Sequence, residues 1–286
     1  VADLFPLQQR GRAIGFIQIG FGASQVLGIP ISLYIANHWG WQSPFLMIVG
    51  LATIIWLSVM LKLAPVTKHL ELRTEKTAIK HLLHTLLLKK YRTGFLLTAL
   101  LSLGGFMMMP WGSAFAVNNL NVIYDQLPIL FMASGVAALI IMPLVGKLSD
   151  KSDKVKIFTV AALSMMVIIV IYTNLGPIPF FLILTLNILM MAAIMSRIVP
   201  AMALVSALPK MQDRGAFMSI SASLQQIAGG IAAGIGGLIV VQKTKESPLQ
   251  HYDILGYLIV VIIIFNIIQI YRVSNLVKSQ IHIDKL

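Results

Sequence analysis

The side chains able to do acid–base chemistry lie almost entirely outside the apolar stretches of this sequence. All ten acids, Asp3, Glu71, Glu75, Asp125, Asp150, Asp153, Asp213, Glu246, Asp253 and Asp284, sit between or beyond hydrophobic runs, and so do the six histidines. Arg197 is the exception, a cation in the middle of the run from 179 to 207. A buried proton relay needs a carboxylate or histidine inside such a run, so none is visible here. With no cysteine, thiol nucleophiles, disulfides and Cys-ligated zinc are excluded. His81 and His84 have helical i, i+3 spacing but no third ligand in reach, which argues against a metal site. An enzyme would need converging acids, bases or nucleophiles that the apolar runs do not offer, and no cofactor is expected.

The elements that must position these residues follow from composition. Of 286 residues 58% are hydrophobic and only 11% charged, with a mean hydropathy of +0.87. Soluble domains carry about 25% charged residues, so this is the composition of a polytopic membrane protein. Runs of about 20 apolar residues cross a bilayer as helices. Eight are predicted, near 12–36, 44–62, 94–117, 128–146, 157–174, 179–207, 215–241 and 254–272, and the fold class is all-α. Short loops make neighbouring helices antiparallel.

The net charge of +12 would suit nucleic acid, but the basic residues are dispersed among loops. That pattern reads instead as topology determination and contact with anionic lipid headgroups. Of the 22 lysines and arginines, only Lys243 and Lys245 fall on the second side of the bundle, and only Arg197 falls within a span. The densest group runs from Lys62 to Arg92, and the positive-inside rule places it in the cytoplasm together with both termini. The inner (plasma) membrane is the expected location. Within this group, Ala78 to Tyr91 sets Leu82, Leu83, Leu86 and Leu87 against Lys80, His81, His84 and Lys90. That is a short amphipathic helix suited to the membrane surface.

Polar and small residues inside spans are few enough to name. The first helix aligns Gly11, Gly15, Gln18, Gly22 and Gln25 on one face, with Gly20, Ser24 and Gly28 on the next. Glycines allow close backbone packing in lipid, whereas Gln18 and Gln25 need a protein or water partner, as pathway-lining residues do. On the seventh helix Ser219, Ser223, Gln226 and Gly230 share a face. Arg197 sits about 18 Å of helix from Pro209, near the middle of a core about 30 Å thick.

Two stretches read as copies of each other. Leu208-Pro209-Lys210-Met211-Gln212-Asp213-Arg214-Gly215 opens the seventh helix much as Phe5-Pro6-Leu7-Gln8-Gln9-Arg10-Gly11 opens the first, and Gln25 to Gly28 is echoed by Gln226 to Gly229. A parallel repeat of about 200 residues fits a transporter built from two six-helix halves. The chain also opens without Met and runs almost at once into Arg10-Gly11-Arg12, as the later part of something longer would.

At these residues the sequence resembles the major facilitator superfamily. Gly146-Lys147-Leu148-Ser149-Asp150-Lys151-Ser152-Asp153-Lys154 is similar to the family loop signature Gly-x-x-x-Asp-Arg/Lys-x-Gly-Arg/Lys, with Asp153 where Gly is usual, which predicts a looser turn. Arg10 to Ala13, Leu27 to Ser32 and Gly40 to Phe45 resemble helices five and six of efflux antiporters, nearest the arabinose efflux permease-like branch. The resemblance implies helices five to twelve of twelve: residues 1–62 as the last two helices of the N-terminal half, 63–92 as the linker, and 93–286 as the C-terminal half. It implies secondary active efflux of a small polar solute, sugar or drug-like, by alternating access. It also implies that Trp111, Ser113, Asn187 and Arg197 line the cavity and that Gly146, Asp150, Lys151 and Lys154 control switching. Gln18, Gln25 and Gln226 join the cavity candidates as polar residues inside spans, with helix packing the alternative for the Gln226 face. The expected partners are the small-molecule substrate, membrane lipid, and either four further helices or another subunit. The competing expectation is a chain that transports nothing alone.

Overall fold

The computed structural model describes residues 7–62 and 78–283. The part of the predicted linker from 63 to 77 lies outside the described residues, as do the side chains of Arg10, Gln18 and Gln25. The described residues are helical almost throughout: α1 (Leu7–Ala23), α2 (Ile29–Trp39), α3 (Ser43–Lys62), α4 (Ala78–Leu87), α5 (Lys89–Phe106), α6 (Gly112–Asn118), α7 (Leu127–Lys151), α8 (Lys154–Thr173), α9 (Phe180–Val205), α10 (Arg214–Ile239) and α11 (Tyr252–Ile283). Seven stretches are long and apolar enough to span a bilayer.

Two of the predicted spans are not continuous, and proline is the reason in both. The first is α1 and α2 joined by a π turn at Ser24–Gly28. Pro30 lacks an N–H and its ring crowds the carbonyl four residues back, a conflict that the wider π turn just before it absorbs. The prediction of eight uninterrupted spans is thus corrected to seven plus this broken element, whose outer apolar part is only Val26–Ala36. The second break divides the span from Lys89 to Asn118, where α5 stops at Phe106, Met109–Trp111 form a 3₁₀ turn around Pro110, and α6 follows.

Packing runs in an arc. α7 lies on α9, α9 on α8, α8 on α11, α11 on α5, and α5 on α10, while α1 lies against α7 and α9. The core of this arc is almost purely apolar, including Phe158, Ile169, Leu255, Ile259 and Ile263, all fully buried. Phe115 stacks on Tyr252 at 4.0 Å between centroids and tilts against Tyr172 at 5.5 Å. Gly94 admits Leu208 and Phe217, and Phe217 in turn stacks on Phe95 at 4.7 Å. These contacts tie α5 to α10 at one end. By contrast, α3 has no buried residue.

Hydrogen bonds sort the loops into two ends. At one end Asp150 meets the start of α1, and Tyr91 joins Asp213 and Lys210. At the other, the Asn118 and Asn119 amides donate to Lys245 and Leu249 carbonyls, and Val241 pairs with Gln250. The basic loops thus share an end, opposite Lys243 and Lys245.

Candidate functional site

The loop signature is built as three linked contacts. Gly146 lies where α1 crosses α7, and a Cβ on Gly15 would come within 2.6 Å of the Met142 carbonyl oxygen. Two turns along, a Cβ on Gly22 would meet the Gly135 carbonyl oxygen at 3.0 Å. The two backbones can therefore approach only because these positions lack side chains. One turn beyond Gly146, a carboxylate oxygen of Asp150 accepts the Arg12 backbone N–H at 2.9 Å, near the electropositive start of α1. Lys154 Nζ donates to the Ser149 carbonyl at 2.6 Å and so caps the end of α7. Lys151 stays exposed.

Asp153 does not loosen the turn. Its carboxylate accepts the N–H of Val155 at 2.8 Å and of Lys156 at 3.4 Å, which makes it the N-cap of α8 and leaves only Ser152 and Asp153 between the helices. An aspartate at the N-cap satisfies donors that a glycine cannot, and an Asp-to-Ala change at such a position costs about 1 kcal/mol.

The predicted cavity residues fall into two groups. Trp111 and Ser113 lie at the broken helix, about 33–36 Å along from the start of α5. Trp111 packs on Gly236 and Gly237 of α10, and its buried Nε1 has no hydrogen-bond partner. Phe106, at the end of α5, packs on Gly229. Ser113 opens into a cleft of about 250 Å³ shared with Asn118, Tyr124, Gln242 and Lys245. Gln226 is exposed on α10, in a row with Ser219, Ser223 and Gly230.

Asn187 and Arg197 look elsewhere. The Asn187 amide donates to the Ile183 carbonyl at 3.0 Å and reaches the Tyr172 hydroxyl of α8. Arg197 is only 4% exposed, with Nη1 on the Met165 sulfur, the guanidinium 5.6 Å from the Phe158 ring centroid, and Nε without a partner. Both therefore turn from α9 toward α8, into the packed core rather than toward an exposed face. The first-helix amides cannot be placed, since their side chains lie outside the described residues.

What sequence reasoning missed is the break between Phe106 and Gly112. Its signal was present in Gly104, Gly105 and Pro110. Discontinuous helices expose backbone carbonyls and aromatic edges inside the membrane, which is how many transporter sites are made. No cluster of three or more metal-ligating side chains occurs among the described residues.

A bundle of membrane-length helices, one broken around a proline, has its first helix docked on α7 through glycines, with a charged Gly-x-x-x-Asp turn holding that dock. Residues 1–233 match the profile of the Major Facilitator Superfamily, and the chain belongs to this family of secondary transporters.

Proposed function

We propose that the chain is part of an efflux antiporter for a small polar solute, sugar or drug-like. Its basic end is assigned to the cytoplasm of an inner-membrane system, and the contacts between α1 and α7 support a state closed at that end. The closure carries the reading. α1 meets α7 through Gly15, Gly22 and the Asp150 carboxylate, whereas α2 and α3 find their main contacts in each other and in the π turn. The seam with α7 runs from the basic end through Gly22 to the π turn, and α2, beyond that turn, has no comparable contact with α7 among the described residues. A seam held at one end and released at the other is one state of an alternating-access cycle. The pathway wall is assigned to Trp111, Ser113 and Gln226, together with Gln18 and Gln25 of the first predicted span. Arg197 and Asn187 act from within the half.

A second observation favours a narrower form of this reading. α3 buries nothing, and Ser219, Ser223 and Gln226 face outward from α10. Unsatisfied polar groups in hydrocarbon cost several kcal/mol each, partly recovered by partners found in the membrane. These faces are complete only when further helices, from the same polypeptide or another subunit, cover them.

Orientation is checked by single cysteines, which the native sequence lacks. Asn121→Cys should react with an impermeant thiol reagent from outside the cell and Ser152→Cys only from inside, both sites being exposed. The reverse pattern overturns the orientation.

Transport is checked by saturable flux of a sugar and drug panel in liposomes, with and without an imposed pH gradient. Flux that saturates and responds to the gradient is expected only once α3 and α10 are covered; no saturable binding or flux under any condition favours a scaffold. In the transporting preparation, Asp150→Asn should slow flux roughly ten- to a hundredfold, because a hydrogen bond to a charged group contributes about 1.5–3 kcal/mol. Substrate affinity should change little. Lost binding with intact switching contradicts this role.

A further inference from the structure

At the basic end of the bundle, α4 lies across the starts of α5 and α10 with its two faces sharply divided. His81 and the fully buried Thr85 turn inward, and His81 Nε2 approaches an Asp213 carboxylate oxygen to 3.2 Å in the range of an ion pair, though not with hydrogen-bond alignment. The Tyr91 hydroxyl donates to the other Asp213 oxygen at 2.8 Å and accepts the Lys210 N–H at 3.1 Å. Outward, Ile79, Leu82, Leu83, Leu86 and Leu87 are all exposed, a nearly continuous apolar strip on a helix of 10 residues. Beneath α4 opens a cleft of about 450 Å³, whose wall includes His84, Lys90 and Lys210. Its one acid, Asp213, is already engaged by Tyr91 and His81.

We propose that this cleft binds the phosphate of an anionic phospholipid from the leaflet at the basic end, with the acyl chains lying along the leucines of α4. Two features select this occupant. Lys90 and Lys210 supply the charge that an anionic headgroup seeks, with His84 as a further donor and the only carboxylate turned into the wall. The leucine strip supplies the apolar contact that a soluble phosphate cannot use, since an amphipathic helix binds a bilayer by buried apolar area together with attraction to anionic lipid. The site belongs to the linker and not to the solute pathway. Lipid there would hold α4 against α5 and α10, the two helices that frame Trp111.

The test is native mass spectrometry of the purified full chain after exchange into mixed phosphatidylglycerol and phosphatidylcholine. Phosphatidylglycerol should be retained roughly thirtyfold better, because each of two lysines near an anionic surface contributes about a factor of five. Lys90→Gln with Lys210→Gln should bring retention down to that of phosphatidylcholine, whereas Lys243→Gln with Lys245→Gln at the opposite end should not. Leu82→Ser with Leu86→Ser, which keeps every charge, should also lower retention, and excess inorganic phosphate should fail to displace the lipid. Displacement by phosphate, or full retention in the leucine variant, overturns the proposal in favour of a soluble anion. Equal losses from both lysine pairs overturn it in favour of unspecific charge. If the lysine variant does not fold, His84→Gln, exposed on α4, should give a smaller drop in the same direction, and no drop overturns the site.

Discussion

Gly15→Ala is expected to pry the basic ends of α1 and α7 apart. The added Cβ would stand 2.6 Å from the Met142 carbonyl oxygen and 3.3 Å from its carbon, both backbone atoms that cannot rotate away. Overpacking of this kind costs about 1–3 kcal/mol, so the closed arrangement should lose roughly five- to a hundred-and-fiftyfold in population. Spin labels at Gln9 and Lys151, both exposed, report the separation by pulsed dipolar spectroscopy. The distance distribution should move toward a longer component, and flux should fall with it. Gly20→Ala is the matched control, because nothing lies within 4 Å of the position its Cβ would take. If the two alanines behave alike, α1 does not cross α7 through Gly15.

The same pair of glycines marks how far sequence carries. That the first helix would pack through small residues was readable from spacing, and Gly15 and Gly22 are indeed buried at the crossing. Gly20, on the neighbouring small face, touches nothing. Periodicity identifies faces but not which face finds a partner, because that depends on a helix more than a hundred positions away. Asp150 shows the same limit. Its loop was recognisable as a signature, yet its acceptor role serves a backbone N–H on Arg12, 138 residues distant, and backbone donors leave no trace in sequence.

Hydropathy located the spans well because lipid imposes length and apolarity directly. It missed the interruptions at Ser24–Gly28 and Phe106–Gly112 because membrane helices tolerate proline and glycine, so these residues do not announce whether the helix kinks, widens or breaks. The amphipathic reading of Ala78 to Tyr91 held for the leucines, which face outward. It could not show that His81 and Thr85 would dock on protein while the leucines of the same helix stayed exposed.

Arg197 is where direction mattered most, and its replacement separates two roles. A cation in hydrocarbon costs at least about 2.5–3.5 kcal/mol. Here it has no carboxylate partner among the described residues, only the Met165 sulfur and the Phe158 ring, the latter a contact of about 2 kcal/mol when desolvated. The balance is near neutral to unfavourable. Arg197→Met keeps the unbranched stem and removes the charge, so it should hold or raise stability, by up to about 1–3 kcal/mol if the buried charge behaves as other desolvated ions do. Arg197→Ala leaves a cavity beside α8 and should lower stability by about 2–5 kcal/mol. Thermal unfolding in detergent reads both. A purely internal Arg197 predicts that the methionine variant still transports in the covered system described above, since its side chain faces α8 and not Trp111 or Ser113. Flux that collapses in Arg197→Met while the unfolding midpoint holds would mean that the guanidinium leaves α8 during the cycle, and that the solute it meets in the opened pathway carries negative charge.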